Sequence, residues 1–291
     1  MALHTISNHC LVVTISDLGA ELQSVKSSDG KEYLWQGDAA FWGRRSPILF
    51  PFVGAEIDDT YRFEGKSYHM PQHGFARDCE FTFVEKEGSR ISFVLESNEA
   101  TRENYPFDFV LTVEYSLQNN ALQVKWIVEN KTEGTMYYAI GAHPAFNLPE
   151  TLNREDCYIM LDKIPRKVTS ISGRYADEEI SVKDNLNVTP NHLIRLEKDL
   201  FAKDALVFEN KQVQKVALCD DTEEPFVEVA FDAPVVGIWS PYKADCPFVC
   251  VEPWYGRCDS VGFCGTLEER AWQNSLEAGE KKTYTYTITI L

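Results

Sequence analysis

The sequence predicts an all-β protein made of large, packed antiparallel sheets. Apolar and polar residues alternate in many short segments, which is typical of strands with one buried face. From residue 107 to residue 117, for example, every odd position is apolar. Amphipathic helix is confined to residues 98–104 and 266–270, where Thr266 and Glu269 form a possible capping box.

Strand candidates follow one another along the whole chain. Asn119 and Asn120, which tolerate positive φ, separate residues 107–117 from residues 122–128 and predict a long antiparallel hairpin. Further strands are predicted at residues 11–15, 81–84, 91–95, 193–196, 205–208, 213–218, 226–231, 235–239 and 284–290. No linker, composition shift or repeat divides the chain, so we expect residues 1–291 to form one domain of two packed sheets.

Composition excludes several functional classes. With 28 Lys and Arg residues against 45 Asp and Glu, the net charge of -17 repels a phosphate backbone, so no nucleic-acid partner is expected. No apolar run approaches the roughly 18 residues that a membrane helix needs, and the N-terminal segment lacks the pattern of a secretory signal. The expected location is the cytoplasm, where the eight cysteines would stay free thiols.

Four irregular segments concentrate the residues that could do chemistry. They span residues 41–54, 70–78, 139–149 and 248–257, and they contain Arg44, Arg45, His73, Arg77, His143 and Glu252. His143 and Glu252 each precede a proline at the predicted end of an apolar strand, which would present an ionisable group at a sheet rim. Taken singly, each of these residues could be structural. Together they suit acid/base chemistry on a sugar ring, with Trp42, Phe146, Trp239 and Trp254 as flat apolar faces.

Three of these segments resemble the site motifs of the aldose 1-epimerases, or galactose mutarotases, and in particular their LacX branch. The motifs are Gln72-His73-Gly74-Phe75-Ala76-Arg77, Gly141-Ala142-His143-Pro144-Ala145-Phe146 and Val251-Glu252-Pro253-Trp254. The resemblance covers essentially the whole chain. It implies a galactose mutarotase-like supersandwich with the site on the concave face of a sheet.

The resemblance also implies roles for single residues. His143 matches the general acid at the ring oxygen, and Glu252 matches the general base at the anomeric hydroxyl. The residues expected to bind the sugar are His73, Arg45, Arg77, Asp204 and Trp239. Opening a hemiacetal needs one proton given to O5 and one taken from O1, so no cofactor is expected. His143 would start protonated, favoured by neighbouring carboxylates, and Glu252 would start ionised.

Other functions remain open at this stage. A non-catalytic carbohydrate-binding sandwich would keep the aromatic residues and arginines without needing His143 or Glu252. A hexose 6-phosphate mutarotase would need a cationic clamp from Arg44, Arg45 or Arg77. A glycoside hydrolase would normally need two carboxylates. Zinc is not expected, because Cys246, Cys250, Cys258 and Cys264 lack the close C-x2-C spacing of zinc knuckles. The preferred sugar and the oligomeric state are not predicted.

Overall fold

A computed structural model describes residues 2–242 and 246–291. Its strands, numbered in chain order, are β1 Leu3–Ser7, β2 Leu11–Ser16, β3 Leu22–Ser27, β4 Ile48–Leu49, β5 Thr60–Phe63, β6 Lys66–His69, β7 Thr82–Glu87, β8 Arg90–Glu96, β9 Phe109–Gln118, β10 Ala121–Asn130, β11 Met136–Tyr138, β12 Ile140–Ala142, β13 Ala145–Asn147, β14 Tyr158–Leu161, β15 Lys167–Ser172, β16 Tyr175–Ser181, β17 Leu193–Arg195, β18 Leu206–Phe208, β19 Lys215–Cys219, β20 Pro225–Phe231, β21 Val235–Trp239, β22 Phe248–Tyr255, β23 Asn274–Leu276 and β24 Lys281–Ile290.

Helix is short and peripheral. The α-helices are α1 Glu99–Asn104 and α2 Val182–Asn185, and 3-10 turns lie at Ile57–Asp59, Ala76–Asp78, Arg154–Asp156 and Leu267–Glu269. Asn98 caps α1, because its side chain accepts the Thr101 N–H at 3.0 Å. The second predicted helix shrinks to a single 3-10 turn, where the Thr266 N–H donates to the Glu269 carboxylate at 2.8 Å. In the described residues, no helix has the length and apolarity needed to cross a membrane.

One large sheet has nine strands. Its order is β17-β14-β19-β20-β24-β10-β9-β8-β7. The predicted hairpin lies here as β9 and β10, joined at Gln118 and Ala121. Along β10, Leu122, Val124, Trp126 and Val128 are buried while the alternate residues are partly or fully exposed, so alternation set which face meets the core.

The other large sheet has eight strands, and it carries the candidate site. Its main path runs β16-β15-β18-β21-β22-β12-β4, and β13 also pairs with β22. Val249 and Val251 of β22 join the same hydrophobic cluster as Val124 and Ile288 of the nine-stranded sheet. The core therefore lies between the two sheets. The all-β prediction is confirmed, and the single-domain organisation stays a prediction.

Candidate active site

A cavity of about 350 Å³ lies on the side of the eight-stranded sheet that faces away from the core. Alternation along β22 produces this placement, because Val249 and Val251 enter the core and Glu252 must point to the opposite face. The lining residues are Trp42, Gly54, Gln72, His73, Arg77, His143, Ile171, Arg174, Asp204, Ala205, Val207, Trp239, Glu252, Trp254 and Cys258. The volume falls in the range of small-molecule sites.

Strand register places His143 beside Glu252. Both β12 and β13 pair with β22, through Gly141 opposite Trp254 and Ala145 opposite Cys250. The same register carried across the gap puts His143 opposite Glu252. Their side chains approach to 3.3 Å between Nε2 and Oε2. The sequence predicted strand ends for both residues. This holds for His143, which lies between two short strands, but Glu252 occupies the interior of β22.

Two glycines make room for the indole of Trp254, which forms part of the cavity wall. A Cβ atom on Gly237 would come within 2.6 Å of this ring, and one on Gly141 within 2.8 Å. Real Cβ atoms do not approach other atoms so closely, and a side chain at either position would displace Trp254. The glycines of β12 and β21 thus shape the wall next to Glu252.

Aromatic rings enclose His143. Trp42 stacks on the imidazole with the centroids 4.7 Å apart, and Trp239 and His73 each present an edge at 5.7 Å. Trp42, Trp239 and Trp254 therefore line the cavity as the sequence suggested. Phe146 does not, because its ring is fully buried in the core between the sheets.

His73 is held in a fixed orientation and tautomer by Gly54. The His73 N–H donates to the Gly54 carbonyl at 2.7 Å, and the Gly54 N–H donates to Nδ1 of the imidazole at 3.1 Å. Since Nδ1 accepts, the proton of a neutral ring sits on Nε2. Burial and the charges of His143, Arg77 and Arg44 hold the pKa of His73 well below its usual range, which keeps the ring neutral. Nε2 of His73 lies 3.4 Å from the side-chain amide of Gln72, and both residues line the cavity.

A buried ion cluster braces this part of the site. Arg270 donates to Glu56 at 3.0 Å and to Asp259 at 2.7 Å. The Asp259 N–H bonds the Ala55 carbonyl, and the Ile57 N–H bonds the Asp259 carboxylate. The loop containing Gly54 is thereby tied to the loop containing Cys258. The side chains of Arg270, Glu56 and Asp259 are all buried, and none of them lines the cavity.

The structure contradicts the expected charges of the acid/base pair. Burial lowers the pKa of His143 to about 3, and Arg77 and Arg44 act in the same direction. Burial, together with Asp204, raises the pKa of Glu252 well above its usual range. The expectation that carboxylates keep His143 protonated was wrong, because desolvation outweighs them. Both shifts favour a neutral His143 and a protonated Glu252.

Arg77 and Asp204, two of the four predicted sugar-binding residues that line the cavity, each hydrogen-bond a neighbouring residue. Arg77 donates to the Gln72 carbonyl at 2.6 Å, and its guanidinium is 3.7 Å from Asp78. Asp204 accepts the Ala205 N–H at 2.7 Å. Asp204 is exposed, yet partial enclosure of its carboxylate raises its pKa. Each keeps free hydrogen-bonding capacity that a sugar hydroxyl could use.

Arg45, the fifth predicted sugar-binding residue, does not line the cavity. Its guanidinium donates to the Gln23 side chain. Arg44 bonds Asp78 at 2.9 Å instead, and its charge helps to lower the pKa of His143. The sugar contact of Arg45 stays a prediction.

Several lining residues had no signal in the sequence. Arg174 lies in the tight turn between β15 and β16, and its guanidinium bonds Asp59 at 2.9 Å. Ile171 comes from the same hairpin, and Cys258 was considered only as a zinc ligand. For Arg174 and Ile171, the sheet order brings the β15–β16 hairpin to the cavity, since β15 pairs with β18 and β18 pairs with β21.

The fold and the site define a β-sandwich protein with a buried histidine–glutamate pair in an aromatic cavity large enough for a monosaccharide. The family model described as Aldose 1-epimerase matches residues 2–289. The chain therefore belongs to the aldose 1-epimerase family.

Individual relatives agree with this assignment. The chromosomal protein LacX of Lactococcus lactis subsp. lactis is 32% identical, with 98% of each chain covered. A solved galactose mutarotase related enzyme from Lactobacillus acidophilus is 38% identical with a TM-score of 0.91, covering 100% of this chain and 97% of that one. A galactose mutarotase-like protein from Lactobacillus casei is 31% identical at the same TM-score, with 100% of both chains covered. The predicted family and the predicted supersandwich fold are confirmed, and they indicate an isomerase-type enzyme with a sugar substrate.

Proposed function

We propose that the protein is an aldose 1-epimerase that interconverts the α and β anomers of a free aldohexose. The observation that carries this proposal is the placement of His143 and Glu252, 3.3 Å apart at the wall of a cavity of about 350 Å³. O5 and O1 of a pyranose are both bonded to C1. An acid and a base that serve these two oxygens must therefore lie close together.

The reaction is ring opening followed by closure on the other face of the aldehyde. His143 gives a proton to O5 while Glu252 takes the proton of O1–H, and the C1–O5 bond breaks to leave the open-chain aldehyde. Rotation about C1–C2 presents the other carbonyl face to the O5 hydroxyl. The two groups then act in reverse, since Glu252 protonates O1 and His143 accepts the proton of O5.

The charge state of the pair corresponds to one stage of this cycle. Once the ring has opened, Glu252 carries the proton and His143 is neutral, which is the distribution that burial favours here. Transfer of that proton across the 3.3 Å between Oε2 and Nε2 restores the acid and the base that ring opening needs. The pair thus works with one proton in total.

A non-catalytic sugar-binding role explains less of the structure. Glu252 is 1% exposed, and His143 is 8% exposed. Burying an ionisable pair carries a desolvation cost, and a binding sandwich would gain nothing from it. Acid/base catalysis explains why the chain keeps this buried pair despite its desolvation cost.

Hexose 6-phosphates are the second candidate substrate. Arg77 and Arg174 both line the cavity and could face a phosphate. Both already have acidic neighbours, Asp78 at 3.7 Å and Asp59 at 2.9 Å. Asp204 on the cavity wall and the net charge of -17 oppose a dianion. These charges favour a free sugar.

The cytoplasmic location stays a prediction.

Glu252→Gln tests the proposal. The amide keeps the shape of the side chain but cannot accept the O1 proton, so we expect anomer exchange to fall by about 10²-fold or more. Polarimetry measures the rate after subtraction of the uncatalysed reaction, and quenching of Trp42 or Trp239 fluorescence reports whether sugar still binds. Glu114→Gln is the control, because Glu114 pairs with Lys125 on the other sheet. A Glu252→Gln variant with a wild-type rate would refute the base role.

A further inference from the structure

Three potential metal ligands converge where the proposed acid and base meet. In the part of the chain that the structure describes, ligand atoms of His143, Cys250 and Glu252 all lie within 4.8 Å of one another, and all three residues are buried. Cys250 precedes Glu252 by two positions on β22, so both side chains project from the same face of the strand. Cys250 also pairs with Ala145, two residues after His143.

Two of these residues have polar atoms available for a ligand. Nδ1 of His143 is buried and makes no hydrogen bond, and Oε2 of Glu252 has no hydrogen-bond partner beyond its 3.3 Å contact with Nε2 of His143. Groups of this kind are normally paired in a folded protein, and an unpaired one calls for a physical reason. His143 and Glu252 line the cavity whereas Cys250 does not, so the cluster meets the cavity through the proposed acid and base.

The donor set is chemically specific. One imidazole, one thiolate and one carboxylate suit Zn²⁺ or Co²⁺, whereas Mg²⁺ and Ca²⁺ prefer oxygen ligands alone. Tetrahedral zinc, with bonds of about 2.0–2.3 Å, separates its ligand atoms by roughly 3.5 Å. A closure of roughly 1 Å at the widest pair would therefore complete three protein ligands and leave a fourth position facing the cavity.

We propose that His143, Cys250 and Glu252 form a binding site for Zn²⁺ or a similar divalent transition metal, and that the bound metal inhibits anomer exchange. Inhibition follows because coordination occupies the carboxylate of Glu252, which must accept the O1 proton, and holds the imidazole of His143 on the metal. Metal binding displaces the protons of the Cys250 thiol and of Glu252, and the resulting thiolate and carboxylate offset the repulsion from Arg77 and Arg44. Spacing alone could not reveal this site, because its ligands come from two strands that are distant in sequence.

The binding test uses Co²⁺ and Zn²⁺ with the purified full-length protein. Co²⁺ should bind with a stoichiometry of one and give a thiolate-to-cobalt charge-transfer band, and Zn²⁺ should displace it. Cys250→Ser should lose that band and weaken Zn²⁺ binding, measured by calorimetry, by about tenfold or more. Cys264→Ser is the matched control, because Cys264 is an exposed thiol outside the cluster. Unchanged metal binding by Cys250→Ser, or loss of the band in Cys264→Ser, would overturn the proposal.

A kinetic test addresses inhibition, and this part rests on the proposed function. Zn²⁺ should slow exchange in the wild type, saturating sugar should weaken the inhibition, and a chelator should reverse it. Rates of Cys250→Ser are compared with the metal-free rate of the same variant. If the protein exchanges no anomers, the proposed function fails while the cobalt band still decides the metal site. If Cys250→Ser does not fold, the wild type decides, and absence of the band there refutes the site.

Discussion

Gly54→Ala should damage both stability and catalysis, and a second glycine separates the two causes. Gly54 has a φ of +78°, and a Cβ atom there would lie 2.4 Å from Cβ of Cys258. Gly65, in the turn between β5 and β6, has a φ of +74° and no atom within 4 Å of the same Cβ position. Alanine therefore meets a left-handed backbone at both sites, which costs about 1–2 kcal/mol. Only at Gly54 does it also meet a steric clash, which costs about 1–3 kcal/mol more.

The clash at Gly54 should also lower the rate of anomer exchange. Gly54 exchanges two hydrogen bonds with His73, so a shift of this loop moves the imidazole that faces the sugar. A displacement of about 1 Å in a positioning group can cost about 10² in rate. Urea unfolding gives the two free energies, and polarimetry gives the two rates. We expect Gly65→Ala to keep the wild-type rate. Equal stabilities for the two variants, or a wild-type rate in Gly54→Ala, would refute the reasoning.

Three further substitutions test other parts of the site. His143→Asn should lower the exchange rate by about 10²-fold or more while calorimetry still detects sugar binding, because the amide hydrogen-bonds but delivers no proton to O5. An unchanged rate would exclude His143 as the acid. Arg77→Ala should weaken binding of the neutral sugar. The free-sugar assignment would be overturned if kcat/KM of the wild type were at least tenfold higher for glucose 6-phosphate than for glucose and Arg77→Ala lost this preference. Burial raises the pKa of Glu56 to about 8 from an ordinary value of 4.5, so the folded protein holds an extra proton between these values. The free energy of unfolding should therefore fall as pH rises through this window. Urea titrations at several pH values measure this dependence, and Glu56→Gln should flatten it. An identical pH dependence in both proteins would disprove the link.

The sequence was most informative where a pattern is local. Alternation along residues 107–128 predicted the β9–β10 hairpin and the face of it that is buried, because side-chain direction in a strand follows from position alone. His143 and Glu252 were predicted as the acid and the base from their positions before prolines in apolar segments and from the family resemblance, and these roles stay a prediction. Their contact at 3.3 Å depends on the shared register with β22, which no local pattern contains.

What the sequence could not reveal depends on the tertiary environment. Arg44 and Arg45 are adjacent in the chain, yet one bonds Asp78 near the cavity and the other bonds Gln23 outside its lining. Arg174 enters the cavity only because the strand order places β15 near β21. The protonation of His143 was predicted from nearby charges, whereas its degree of burial decides it.

The position of β24 in the nine-stranded sheet constrains how the protein can fold during synthesis. β24 pairs with β20 on one side and with β10 on the other, and among the residues that the structure describes no other strand links these two halves of the sheet. It also follows both halves in the sequence. The ribosome must therefore release residues 281–290 before the sheet can become continuous, and until then two open strand edges remain available for mispairing. We expect nascent chains that end before β24 to depend on chaperones, and closure of the sheet to be a late, long-range step.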